Sequence, residues 1–171
     1  MTELTESTRA YLEGIPFLPR VLPHAYAFNL FSHNSAIDMD NGYNGEELKV
    51  MQETRKIFGE PELRVSATCI RVPVLRAHAI AVNIEFEREF DLQDVRQMLA
   101  NAPGVRLVDD WKNNLFPMPR DASEQYDILV GRVRRDISDP TGRSLSLFSA
   151  GDQLLKGAAL NAVQIAEKLW A

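Results

Sequence analysis

The chain has 171 residues, a single cysteine and a net charge of −5. That length is enough for one domain with a core of its own. One cysteine excludes an internal disulfide and points to a reducing compartment. The acidic balance argues against a general nucleic-acid binder. No apolar run approaches the roughly 18 residues a membrane helix needs, and no signal-peptide pattern opens the chain, so the expected location is the cytoplasm, or an organelle matrix after loss of a transit peptide.

Thr2 to Glu13 reads as a short helix that Gly14 ends. Ile15 to Pro23 holds three prolines and reads as an extended connector, Tyr26 to Phe31 as a strand, and His33 to Tyr43 as a loop rich in Asn, Asp and Gly. Asn44 or Gly45 then starts a helix to about Phe58, with Gly59 as its C-cap. Glu46, Lys49, Glu53 and Lys56 form a charged stripe on it. That stripe is either a solvated face with spaced ion pairs or, in its first turn, a cleft wall offering Glu46 and Lys49 to a ligand.

Val65 to His78 is the most informative stretch. Alternation puts Val65, Ala67, Cys69 and Arg71 on one strand face, apolar except for the guanidinium. A charge on such a face requires an anionic partner. His78 is an odd number of residues away, so a straight strand would turn it to the other side. Pro73 makes a straight strand unfavourable, and a bend there would let both serve one pocket. The pattern leaves a plainer reading open: a structural carboxylate pairs with Arg71, and His78 is a strand-end histidine. Loose motifs turn out that way more often than not.

Further on, Ala79 to Glu87 alternates as a strand, with Ile80, Val82, Ile84 and Phe86 on one side. Asp91 caps a helix to about Ala100. Val105 to Val108 is a strand, and Trp111 to Ser123 a long loop. Ile128 to Arg134 and Ser144 to Phe148 are strands around the turn Asp139-Pro140-Thr141-Gly142. Arg132, Arg134 and Arg135 read as a salt-bridged surface. Leu154 to Leu169 reads as one helix, apolar over much of its circumference, which requires a large partner surface. Its own sheet, a further domain or a partner subunit would each serve. His24, His33 and His78 are too scattered to suggest a metal site. The expected class is α+β: a mixed, mainly antiparallel sheet with helices packed on one face. The open face is the expected dimer surface.

Several runs resemble the bacterial aspartate-semialdehyde dehydrogenases. They are Gly45 to Ile57, the Arg-Val-Pro-Val-x-Arg-x-His core of Val65 to His78, Val82 to Glu87, Asn101 to Val105, Val130 to Asp136, and Lys156 to Glu167. They are collinear and cover nearly the whole chain. The resemblance implies a fold like the C-terminal domain of glyceraldehyde-3-phosphate dehydrogenase. It implies residues 1–150 as the dimerisation and substrate-binding domain, and residues 151–171 as a helix that packs on an NADP-binding domain in the full enzyme.

It also implies the chemistry. These enzymes interconvert L-aspartyl-4-phosphate and L-aspartate 4-semialdehyde with NADP through a cysteine thioester, on the route to lysine, threonine, methionine and diaminopimelate. Arg71 matches the arginine that holds the α-carboxylate, and His78 the acid/base histidine. Glu46 matches the glutamate at the substrate amino group, and Lys49 the lysine near the phosphate. Gly157 and Asn161 match residues at the nicotinamide end of the cofactor.

The chain departs from the family pattern too. The glycine-rich dinucleotide loop and the Asn-Cys nucleophile segment are absent from this sequence, Cys69 matches a non-catalytic cysteine, and Ser32 stands where proline is common. The chain is therefore expected to form a homodimer and to be inactive alone. A stand-alone dimerisation or regulatory module, and an N-acetyl-glutamyl-phosphate reductase-type domain, are the alternatives. Arg71, His78, Glu46 and Lys49 together favour the dehydrogenase over the module, and the Arg-Val-Pro-Val-x-Arg-x-His run favours it over the reductase.

Overall fold

The computed structural model describes residues 2–170. The chain divides into two compact units, one ending at Leu75 and one starting at Arg76.

The first unit opens with α1 (Thr2–Leu12), which buries Leu4 and Ser7. The Glu3 carboxylate accepts from the backbone N–H groups of Arg20, Val21 and Leu22, so the proline-rich connector is fastened to this helix. β1 (Phe31–Ser32) pairs antiparallel with β2 (Ile70–Arg71). The strand expected over Tyr26 to Phe31 is thus only its last residue and Ser32. Phe28 has a positive φ of 55° and Asn29 N–H closes a turn onto Tyr26 O, which together break the extended run.

Only two residues of Val65 to Arg71 join a ladder, because β1 is only two residues long. The alternation survives nonetheless: Val65, Ala67, Cys69 and Arg71 are half-buried, while Ser66, Thr68 and Ile70 are exposed. Side chains hold the unladdered part, through Tyr43 Oη to Ser66 Oγ and Glu47 to the Cys69 amide.

Between these strands runs α2 (Gly45–Phe58). Asn44 and Glu47 form a reciprocal capping box at its start, and Gly59 ends it at a φ of 68°.

The second unit is a four-stranded sheet in the order β3 (His78–Glu85), β6 (Ser144–Gly151), β5 (Ile128–Arg135), β4 (Val105–Leu107). Only the β4–β5 pairing is parallel. α3 (Leu92–Asn101) is capped by Asp91, whose carboxylate accepts from Gln93 and Asp94 N–H. Its Val95 and Leu99 pack with Val130, Val133, Leu145, Ile84 and Leu147 on one sheet face. Leu129 follows the opposite alternation and packs with Ala77, Ala150 and Ala122 of the short α4 (Pro119–Ala122) on the other. That short helix interrupts the loop expected over Trp111 to Ser123.

β5 is bulged between Gly131 and Arg134. The Asp109 carboxylate accepts from the amides of Arg132 and Val133, pairs with Arg96 and takes the Trp111 indole N–H, so the bulge is pinned from below. Among the described residues, the contacts seen for the arginines of this strand are not a salt-bridged row. Arg132 lies over Phe116 and Arg135 over Phe90, each a cation–π contact.

The terminal helix runs without a break but opens in a different helical form. A π-helical turn (Leu155–Ala159) precedes α5 (Leu160–Trp170). α5 buries none of its residues: Val163 and Ile165 are 54% exposed and Trp170 83%.

Candidate active site

Three of the sequence-chosen residues meet in the first unit. Arg71 ends β2. Glu46 and Lys49 lie in the first turn of α2, whose start is fixed by Asn44, 1% exposed. Asn44 Oδ1 accepts from Glu47 N–H at 3.0 Å, and Glu47 Oε2 accepts from Asn44 N–H at 2.9 Å. The other Glu47 oxygen accepts from Cys69 N–H at 2.8 Å, so one carboxylate ties the helix start to the strand that carries Arg71. These donors, led by the Asn44 amide, hold the Glu47 carboxyl below its ordinary range.

Lys49 Nζ sits 2.8 Å from Glu46 Oε1. The hydrogen bond between them lowers the Glu46 carboxyl and raises the Lys49 ammonium, so the pair stays ionised. Arg71 differs. Its Nε and Nη2 both donate to Asn34 Oδ1, at 3.1 and 3.0 Å, and Nη2 also donates to His33 Nε2 at 2.9 Å. These bonded partners are both uncharged, and the structural carboxylate considered from the pattern is not among them.

Cys69 lies in the same strand segment. Burial first, then the carboxylates of Glu47 and Glu46, push its thiol up from the ordinary value. That suppresses the thiolate a nucleophile requires.

The other chosen residues belong to the second unit. His78 starts β3, is exposed and stands opposite Gly151. Next to Gly151, Asp152 is 1% exposed. Its Oδ1 accepts from Leu154 and Leu155 N–H at 2.9 and 3.2 Å. Its Oδ2 accepts from Glu124 N–H at 2.7 Å and pairs with Arg76 Nε at 2.7 Å. One buried carboxylate therefore secures both the approach to His78 and the π-helical turn. Burial acts to raise its carboxyl, but the three amides and Arg76 outweigh that and hold it low. Gly157 lies in the turn and Asn161 in the first turn of α5, both exposed. Short π segments often mark functional sites.

Sequence reasoning missed His33, Asn34 and Asp152. His33 and Asn34 fall in a stretch that composition marks only as loop. Asp152 resembles any helix-capping aspartate until its four donors are seen.

The semialdehyde dehydrogenase dimerisation-domain family model matches residues 1–156, and the chain belongs to that family. It is 55% identical over 169 residues to the aspartate-semialdehyde dehydrogenase of Synechocystis sp., covering 99% of this chain and 49% of that protein. The structure of aspartate semialdehyde dehydrogenase II from Vibrio cholerae, complexed with ASA, superposes with a TM-score of 0.89 at 41% identity, over 96% of this chain and 48% of that one. An aspartate semialdehyde dehydrogenase from Candida albicans, solved with NADP, shares the fold at 24% identity and a TM-score of 0.69, over 88% of this chain and 47% of that one. The chain thus spans about half the length of the relatives it matches.

Proposed function

We propose that this chain is the dimerisation and substrate-binding part of an aspartate-semialdehyde dehydrogenase, acting on L-aspartyl-4-phosphate and L-aspartate 4-semialdehyde in aspartate-family amino-acid biosynthesis in the cytoplasm. The observation that carries the reading is the Arg71 guanidinium, whose bonded partners are the neutral Asn34 and His33. Its charge is left for an incoming α-carboxylate, which a planar fork grips at two points. Glu46 receives the substrate ammonium and Lys49 the phosphate. These roles divide a pair that is otherwise self-neutralised, so substrate exchanges one ion pair for two.

His78 moves the proton at the reacting carbon. A neutral imidazole carries one donor and one acceptor nitrogen, which suits proton transfer. The exposed Gly157-Ala158-Ala159 surface has no side chain beyond a methyl, which fits close approach of a flat ring, and the Asn161 amide matches a carboxamide. NADP held there supplies or takes up the hydride. On this reading Cys69, half-buried in a strand tied to the Glu47 carboxylate, is not the thioester-forming cysteine, and the chain alone is inactive. Pairing of two copies through the sheet of the second unit completes the assembly.

Titrating the isotope-labelled chain with L-aspartate tests the site. Shifts are expected at Arg71, Glu46 and Lys49, and their loss in Arg71→Leu. Shifts that persist unchanged in that variant would overturn the carboxylate assignment.

A further inference from the structure

The Arg71 Nη2 lies 2.9 Å from His33 Nε2. A guanidinium has donors and no acceptor. The imidazole nitrogen must therefore accept, and it carries no proton. The proton of the neutral ring then belongs to Nδ1, 3.1 Å from Ser35 Oγ.

Ser35 is arranged to take it. Its hydroxyl donates to Asn44 Oδ1 at 3.3 Å and accepts from Glu46 N–H at 3.1 Å. Accepting from His33 Nδ1–H as well fills the one-donor, two-acceptor complement of a hydroxyl. Ser35 N–H also donates toward Nδ1 at 3.2 Å, in competition with Arg71 for the one lone pair of a neutral ring. A lone pair on Nδ1 to receive it would put the ring proton on Nε2, aimed at the guanidinium. The network as a whole therefore assigns the Nδ1–H tautomer.

We propose that His33 is a positioning residue that holds Arg71 in its carboxylate-binding pose only while the imidazole is neutral, so that carboxylate binding weakens on acidification. The inference rests on the reading of Arg71 as the carboxylate anchor. Protonation turns both ring nitrogens into donors and sets two cations face to face. The charged groups around the ring are Arg71 on β2 and Glu46, Glu47 and Lys49 on α2. Burial first and Arg71 second favour the neutral ring, and Lys49 adds to them. Glu46 and Glu47 oppose, and the balance lies below the ordinary 6.5. The neutral form therefore predominates at neutral pH.

Two measurements on the full chain test this. Nitrogen shifts of the labelled imidazoles should report an Nδ1–H tautomer for His33 and a midpoint that rises in Arg71→Leu. An Nε2–H tautomer, or a midpoint unmoved by that substitution, overturns the proposal. L-aspartate, whose carboxylates stay ionised above about pH 5, should bind roughly tenfold more weakly below the His33 midpoint read from those nitrogen shifts than at about pH 7.5. His33→Gln keeps an acceptor that does not titrate, and its profile should stay flat. Superimposable profiles for the two proteins overturn the proposal, since a purely structural histidine would not set the slope. Absence of L-aspartate binding at any pH would instead count against the Arg71 reading, and the tautomer and midpoint would then decide the role of His33.

Discussion

Arg71 presents its charge among neutral acceptors, and the precision of that arrangement depends on Asn44. This one side chain caps α2, accepts from Ser35 and closes the box with Glu47. Asn44→Ala removes the cap and leaves the Glu47 N–H without its partner. The expected loss is about 1–2 kcal/mol in denaturant unfolding, with faster amide exchange at Glu47. An unchanged midpoint would contradict the role given to the cap. The cap was legible in the sequence, because Asn44 followed three residues later by Glu47 is a local signal. The His33–Arg71 bond was not legible, because it joins residues 38 apart through a loop without periodicity.

Two elements of the second unit depend on single positions. At the β5 bulge, a Cβ on Gly131 would lie 2.1 Å from Val108 O and 2.6 Å from Pro117 Cδ. Backbone cannot yield there, so Gly131→Ala is expected to cost about 1–3 kcal/mol or more, read as a fall in thermal midpoint. At the π-helical turn, the Asp152 carboxyl is depressed below its ordinary 3.8. A depressed folded value means its contribution is full above the unfolded value and fades as pH falls through the folded one. Amide exchange at Glu124, Leu154 and Leu155 should therefore quicken only in that acid range. In Asp152→Asn it should be quick at neutral pH, and slow exchange in the variant would count against the carboxylate as the anchor.

The strand and helix order of this unit was readable from alternation and caps, since both are short-range patterns. The bulge and the π turn were not, because each is imposed by a carboxylate distant in sequence or by a run of donors that no period encodes. The strand expected at Tyr26 failed for a related reason: alternation was present, but no partner strand of that length exists to ladder with it.

At the scale of the molecule, α5 buries none of its residues, with Leu169 74% and Trp170 83% exposed, and the chain spans about half of each relative it matches. An apolar helix face of that kind requires a large covering surface. Arg71, as the proposed grip on the substrate carboxylate, is the residue on which the other proposed roles depend. The direct measurement replaces the matching half of the Synechocystis relative with this chain and compares kcat/KM for aspartate semialdehyde with and without Arg71→Leu. An active chimaera is expected, with a fall of roughly 10²–10³-fold in the variant, the scale of losing a charged, doubly bonded contact. A variant as active as its parent would contradict that role.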